Sequence, residues 1–409
     1  MRPKLKHIVF LRNPEEAPIW GGLEKLMLDW FERMDYSQCK VTLAISNDWI
    51  SLFETKLQAK NIPVKVVELP LEYREGFFFK RFLNLFFSLK KLKPSSVVLI
   101  QGWLFSFDLV YVLAGFFAAP GEVYMHENLG PPMPHPKESQ RYFGLIPRVG
   151  IWWHLQIWLA SSRAHVSRKV VVVSKEIKEK LVSWWHYPPE KILVQYHGVD
   201  LGHYRPSAEV RSKMREALKI PPEETVMIVA SRLTKVKCIH RTIEAFDALS
   251  RGCSGLTLLV LGSGPLENDL KALAQNMPCA HKIKFLGHVD NVSDYFKMSD
   301  IYALSSDNEG LGIALIEAMA TGLVCVSTRC PGAGEIIRDG ENGFLVEKST
   351  EGMLSGLRKA LGLSAEGRME IGGKAARFAM ENFEINARIR DAFDALGLAF
   401  ANGEKAILK

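Results

Sequence analysis

The sequence predicts an α/β protein built on two parallel sheets with helices on both faces, one sheet in each half of the chain. Three observations lead there. Short apolar runs bounded by turn residues alternate with helix-period stretches through the first half and resume in the second. A turn-rich join, His197-Gly198-Val199-Asp200 with Pro206 beyond it, interrupts the alternation near the middle. With 409 residues, 47% hydrophobic and 24% charged, the chain is long and apolar enough to bury two cores.

In the first half the strand-like runs are Ile8–Leu11, Val41–Ile45, Val64–Leu69, Val97–Ile100, Val123–His126 and Val170–Val173. The basic opening, Met1–Asn13, has an apolar stretch too short for a signal-peptide core, so Ile8–Leu11 reads as the first buried strand. Gly21-Gly22 then precedes a helical Leu23–Phe31, which suits a loop facing a ligand. Trp103–Ala119 is apolar, but it is short and Asp108 interrupts it. A separate strand followed by a buried helix explains it better than a membrane span. The second half repeats the alternation with Val226–Ala230, Thr257–Leu261, Ile283–Leu286, Ile301–Leu304, Val324–Ser327 and Gly343–Val346, and closes on helical sequence from Thr350 to Lys409. Open parallel sheets bind ligands beyond their carboxyl ends, so the expected site is a cleft between two facing sheets.

The chemistry concentrates between Ser305 and Ala320, where Glu309 and Glu317 stand eight residues apart. The strand-like run before this segment and the Ala-rich run after it make Glu309-Gly310-Leu311-Gly312 a strand-to-helix turn. Its unpaired N–H groups and helix dipole favour a phosphate. A carboxylate in that turn is no phosphate ligand. Glu309 suits sugar hydroxyls or a developing positive charge, and Glu317, two turns along, suits a ribose. The plainer alternatives are a capping carboxylate and a solvated helix residue. Arg232 and Lys237 follow Val226–Ala230 at the carboxyl end of a strand. A guanidinium and an ammonium there can neutralise the charge growing on a departing diphosphate.

These segments, in order, resemble the retaining family 4 glycosyltransferases. Glu309 and Glu317 match that family's Glu-x7-Glu motif. Arg232-Leu233-Thr234-Lys235-Val236-Lys237 matches its basic loop, and Leu258-Leu259-Val260-Leu261-Gly262-Ser263-Gly264-Pro265 its next strand and glycine turn. Phe285-Leu286-Gly287-His288 resembles its base-proximal turn, and Pro331-Gly332-Ala333-Gly334-Glu335-Ile336-Ile337 with Asp339-Gly340-Glu341-Asn342-Gly343 its closing motif. The resemblance is strong from Gly198 to Val346 and weaker at Gly21-Gly22 and His126. Cys238 stands where the family has Gly, and the Pro expected before Val324 is absent.

The resemblance implies two Rossmann-like domains facing each other across a cleft, the GT-B architecture. Residues 1–197 would receive the acceptor, 198–375 would bind the nucleotide sugar, and 376–409 would pack back on the first domain. It implies a retaining, metal-independent transferase of the hexosyltransferase type with no cofactor. The enzyme would move a sugar from a nucleoside-diphosphate donor to a hydroxyl acceptor, on a lipid-linked or cell-envelope glycan in polysaccharide biosynthesis. Catalytic roles would fall to Glu309, Arg232, Lys237 and His126. Donor contacts would fall to Gly21, Gly22, Arg232, Lys237, Gly310, Leu311, Gly312 and Glu317. His126 would lie beside the sugar without serving as base, because the leaving phosphate takes the acceptor proton and no enzyme nucleophile is needed.

Charge divides unevenly. Residues 1–200 hold 26 Lys+Arg against 19 Asp+Glu, whereas residues 201–409 hold 26 against 26. Basic and aromatic residues interleave from Arg74 to Lys93, and Ser139 to Lys175 is free of Asp and Glu. Such patterns favour an anionic membrane surface, met through Arg74, Lys80, Arg81, Lys90, Lys91, Lys93, Arg141 and Arg148. The competing reading packs the aromatics in the core with a solvated basic edge. Localisation would be cytoplasmic, peripheral at the membrane face.

Other classes fit less well. A nicotinamide oxidoreductase would need Gly-x-Gly-x-x-Gly, and Glu267 occupies the third position after Gly262 and Gly264. No recognition motif for nucleic acid occurs. No Cys or His pattern has metal-ligand spacing, although Asp307-Asn308-Glu309 has the oxygen ligands a hard cation takes. Six Cys without a framework suggest free thiols in a reducing cytosol. The alternative function is a catalytically silent sugar- or lipid-binding protein of the same fold.

Overall fold

The computed structural model describes residues 5–12, 22–68, 78–101, 108–127, 157–158 and 161–401. The chain forms two compact units, Met1–Tyr196 with Ile389–Lys409, and His197–Arg388.

Unit 1 is a seven-stranded sheet in the order β3-β2-β1-β4-β5-β6-β7, parallel at every pairing. Its strands are β1 (Lys6–Arg12), β2 (Cys39–Ile45), β3 (Lys65–Glu68), β4 (Ser96–Gln101), β5 (Val123–Glu127), β6 (Lys169–Val172) and β7 (Ile192–Val194). Helices α1 (Gly22–Arg33), α2 (Asn47–Ala59), α3 (Phe78–Leu92) and α4 (Asp108–Ala118) connect the first five. Ile8, Val9 and Phe10 are all buried although consecutive residues face opposite sides of the sheet. Both faces of the central strand are therefore covered, which is why it reads as an unbroken apolar run. Asp108, which breaks that apolar stretch, is the first residue of α4. Among the described residues no helix is long and apolar enough to cross a membrane.

Unit 2 is a six-stranded parallel sheet in the order β10-β9-β8-β11-β12-β13. Its strands are β8 (Thr225–Ala230), β9 (Leu256–Leu261), β10 (Ile283–Gly287), β11 (Ile301–Leu304), β12 (Val324–Thr328) and β13 (Phe344–Val346). Met227, Val229, Leu258, Val260, Ile243 and Phe246 lie in its main apolar cluster, where sheet and flanking helix close on each other.

Two features depart from the sequence expectation. Strand β7 is an addition: three apolar residues after a proline pair are too short a run to stand out by periodicity. The segment expected to leave the second domain at 376 does so later. Helix Ala365–Phe383 buries Ile371, Ala375, Ala379 and Phe383 within unit 2, and only residues from Ile389 onward count with unit 1. There Phe393 meets Trp30 edge-on at 5.8 Å, and Ala401 N–H donates to the Arg33 carbonyl at 3.0 Å. All six cysteines are free thiols.

Candidate functional site

The polar groups of unit 2 gather where β8 and the neighbouring β11 end. Beyond β8 the chain runs through Ser231 and Arg232 into a single 3-10 turn, Lys235–Lys237, and then into the helix Ile239–Ser250. Leu233 anchors this loop: it is fully buried, and its N–H donates to the Ser263 carbonyl at 2.9 Å. Gly262 makes the approach possible. Its φ is +117°, and a Cβ on it would collide with the Ser231 carbonyl oxygen. Arg232 projects from this braced loop as an exposed side chain.

Beyond β11 the chain passes through Ser305 to Glu309 and enters the helix Ile313–Ala320. Gly312 caps that helix at φ +77°, a left-handed conformation a side chain would strain. Thr328 Oγ1 donates to the Ser306 carbonyl at 2.6 Å and fixes the turn against β12. Glu309 is buried there, and its Oε1 accepts from Lys237 Nζ at 2.5 Å and from Ser306 Oγ at 2.7 Å. Among the described residues no donor reaches Oε2. A buried carboxylate saturated on one oxygen and open on the other can receive a hydroxyl without losing its cation.

Two more carboxylates have defined partners. Glu317 is buried, not solvated, and receives a hydrogen bond from Tyr204; burial first, then the Glu317 charge, pushes that phenol above its ordinary range. Asp307 Oδ1 accepts from Arg241 Nη1 at 2.6 Å, and Oδ2 from Cys238 Sγ at 3.1 Å. Burial acts to raise the Asp307 pKa, but these two partners outweigh it and hold the carboxyl below its usual range. Asp307 and Glu309 are thus each committed to a different cation. Among the described residues no cluster of three or more His, Cys, Asp or Glu side chains suits a metal ion.

The predicted residues distribute over both units. Lys237 and Glu309 are in direct contact, with Gly310, Leu311 and Gly312 in the same turn. Arg232 stands on the β8 loop, and Glu317 on the helix behind the turn. In unit 1, His126 is buried at the end of β5 with Trp30 edge-on to its ring, centroids 5.5 Å apart. Gly22 begins α1, while Gly21 lies outside the described residues. Of the proposed membrane cations, Lys80, Lys90, Lys91 and Lys93 are exposed on or just after α3, and Arg81 is part of that helix. Arg74, Arg141 and Arg148 lie outside the described residues.

Sequence reasoning missed Ser306, Tyr204 and Arg241. Ser306 sat inside the motif, three residues before Glu309, where a hydroxyl can reach back to the carboxylate. Arg241 and Tyr204 are 66 and 113 positions from their partners, and nothing in the sequence points across that distance.

The Glycosyltransferase Family 4 model matches residues 20–203, and the Glycosyl transferases group 1 model matches residues 210–377. An N-acetyl-alpha-D-glucosaminyl L-malate synthase of Bacillus anthracis is 34% identical over 136 residues, 33% of this chain and 35% of that protein. A lipopolysaccharide core biosynthesis glycosyltransferase, LpsE, of Rhizobium meliloti is 32% identical over 133 residues, 32% of this chain and 38% of that protein. The matched region thus spans little more than a third of these curated relatives. Anabaena HepE, solved in complex with UDP and glucose, has a TM-score of 0.74 at 20% identity and covers 96% of this chain and 99% of that one.

Proposed function

Because the chain belongs to the family 4 glycosyltransferases of GT-B architecture, we propose that it transfers a sugar with retention from a nucleoside-diphosphate donor to a hydroxyl acceptor on a lipid-linked or envelope glycan. The observation behind this reading is the Lys237–Glu309 pair, set at the adjoining ends of β8 and β11 with Arg232 on the same loop.

The roles follow from charge. As the bond from the sugar carbon to the diphosphate breaks, negative charge grows on the phosphate oxygens. Arg232 and the Lys237 ammonium neutralise it, assisted by the N–H groups at the start of the Ile313–Ala320 helix. Positive charge grows on the sugar ring, and Glu309 stabilises it while Oε2 accepts a sugar hydroxyl. The acceptor hydroxyl attacks from the face the diphosphate leaves, its proton passing to the departing phosphate oxygen. Fixed cations do the work a metal would otherwise do, so this reading needs neither a metal nor a cofactor. Glu317 faces the ribose, with Tyr204 orienting its carboxylate.

The test is calorimetric titration with UDP, GDP, ADP and NAD of the wild-type protein and Arg232→Ala. UDP is the first to try, because HepE was solved with it. Tight binding of one nucleoside diphosphate, weakened about tenfold in Arg232→Ala, supports the reading. Binding of NAD alone overturns it. Nucleotide binding without transfer to any hydroxyl acceptor favours the silent binding protein.

A peripheral membrane position fits the outer face of α3 and α4. Phe82 and Phe86 stack at 6.0 Å, Phe117 of α4 meets both edge-on, and Lys90 Nζ lies 5.3 Å from the Phe86 ring centroid. Phe87 and Phe117 remain 53% and 56% exposed. Lys80, Asn84, Phe87 and Lys91 form one exposed stripe at helical spacing, and α3 has no acidic residue. Apolar rings flanked by ammonium groups complement anionic headgroups above an acyl layer. Co-sedimentation with phosphatidylcholine vesicles, with and without phosphatidylglycerol, checks it: Phe87→Ser/Phe117→Ser should lose about tenfold of the anionic-vesicle binding. Equal binding by wild type and variant would leave these rings as ordinary surface.

A further inference from the structure

We infer that Asp307 is a positioning residue, the clamp that holds the Lys235–Cys238 loop against the Ser305–Glu309 turn and so fixes the Lys237 ammonium on Glu309. Its role in donor binding rests on the function proposed above; its role in placing Lys237 does not.

The two loops leave different strands and are tied at several points. Asp307 N–H donates to the Val236 carbonyl at 2.9 Å, and Ser305 Oγ to the Lys237 carbonyl at 3.0 Å. The Asp307 carboxylate closes the remaining side, one oxygen on Cys238 and the other on Arg241. Arg241 also donates to the Ser305 carbonyl at 3.3 Å. Residues 236, 237 and 238 are thus each bound to the turn that presents Glu309. A lysine side chain has four rotatable bonds, and a fixed backbone on either side of it reduces the freedom lost when its ammonium docks.

Cys238 adds a second argument. Its φ is +46°, the left-handed region that disfavours a side chain, and glycine is the residue the resemblance leads one to expect there. The thiol is buried, and its single proton lies between two acceptors, the Lys235 carbonyl and Asp307 Oδ2, each 3.1 Å from Sγ. Burial, followed by Asp307, pushes its pKa up to about 11, so it stays a thiol and a donor at neutral pH. Asp307 receives that donor as well as Arg241, and both lie on the β8 side of the site.

The experiment compares wild type with Asp307→Ala, Asp307→Asn, Lys237→Ala and the double variant Asp307→Ala/Lys237→Ala. Trace acetic anhydride modifies lysine amines, and peptide mass analysis reads Lys237 relative to the exposed Lys359. Freed from its clamp, Lys237 should acylate about threefold faster in Asp307→Ala, with Asp307→Asn between that variant and wild type because an amide keeps one of the two acceptor oxygens. Unchanged Lys237 reactivity in Asp307→Ala overturns the clamp, whether or not any nucleotide binds. UDP titration then reads the consequence. Asp307→Ala should weaken UDP about fivefold alone and add nothing in the Lys237→Ala background. Additive losses, or UDP affinity unaltered by Asp307→Ala, would remove Asp307 from donor binding. Wild type failing to bind UDP, GDP or ADP would count against the proposed function, and the acylation ratio alone would then decide the clamp.

Discussion

The two units share a construction, and each pairs a cation with a carboxylate at a strand end, Arg12 with Glu24 in unit 1 and Lys237 with Glu309 in unit 2; they differ in the cations left on their outer helices. Unit 2 turns cations inward: Lys237 on Glu309, Arg241 on Asp307 and Arg215 on Asp300, each pair at a strand end or helix flank. Unit 1 leaves Lys80, Lys90 and Lys91 exposed along α3 beside partly exposed phenylalanines. A buried ion pair holds its two side chains at defined points. Exposed ammonium groups beside apolar rings make the surface proposed above to meet anionic headgroups. The same doubly covered parallel sheet thus carries both arrangements, and the difference is made by loops and outer helix faces.

All nine tryptophans precede residue 197, so tryptophan emission follows unit 1 alone while circular dichroism follows both units. That separates the units experimentally. The largest expected effect is on unit 1: Phe393→Ala removes a fully buried ring from Trp30 and should destabilise that unit by about 4 kcal/mol. The emission transition should shift to lower denaturant while the remaining dichroism transition stays. If both shift equally, the units do not unfold separately.

Next in size is an opposed dependence on pH. Burial in unit 2 lowers the His197 pKa from 6.5 to about 4, so the unfolded chain takes up its proton first. The stability His197 contributes is complete above pH 6.5 and is lost as pH falls toward 4. Burial in unit 1 raises Asp29 from 3.8 to about 6, so its contribution is present at low pH and is lost as pH rises through 6. Each amounts to about 3 kcal/mol. His197→Asn should flatten the dichroism-detected loss between pH 6.5 and 4, and Asp29→Asn the emission-detected loss between pH 4 and 6. Like-signed slopes in the two variants would contradict the assignment.

A tenfold effect on turnover, about 1.4 kcal/mol, is expected from Glu309→Gln, with nucleotide affinity changed far less because the proposed contact is to the sugar. Equal loss of both would make Glu309 chiefly a structural partner of Lys237. The smallest change should come from Cys238→Gly. Relief of left-handed strain and loss of the thiol hydrogen bond oppose each other at about 1 kcal/mol each, so the denaturation midpoint should barely move.

The strands were legible because a parallel strand buried on both faces is written as an apolar run; Ile8–Leu11 and Val226–Ala230 show it plainly. Strand β7 escaped because Ile192–Val194 lies at the sheet edge and is too short for a period. The position of Arg232, Lys237 and Glu309 beside strand ends was legible because each follows an apolar strand run directly in sequence. The Asp307–Arg241 link was not, since a salt bridge from a loop to the helix Ile239–Ser250 depends on strand order, and β8 meets β11 only after β9 and β10 have been laid to its other side.

Residues 389–401 close the first unit over Trp30 and Arg33, and this sets a timetable for synthesis. At about 5–20 residues per second a ribosome needs some tens of seconds, about 10–40, to pass from residue 196 to residue 388. Throughout that interval the second unit is being made while the first lacks its closing segment, with Trp30 uncovered by Phe393. The earlier-begun unit is thus the later one to be finished.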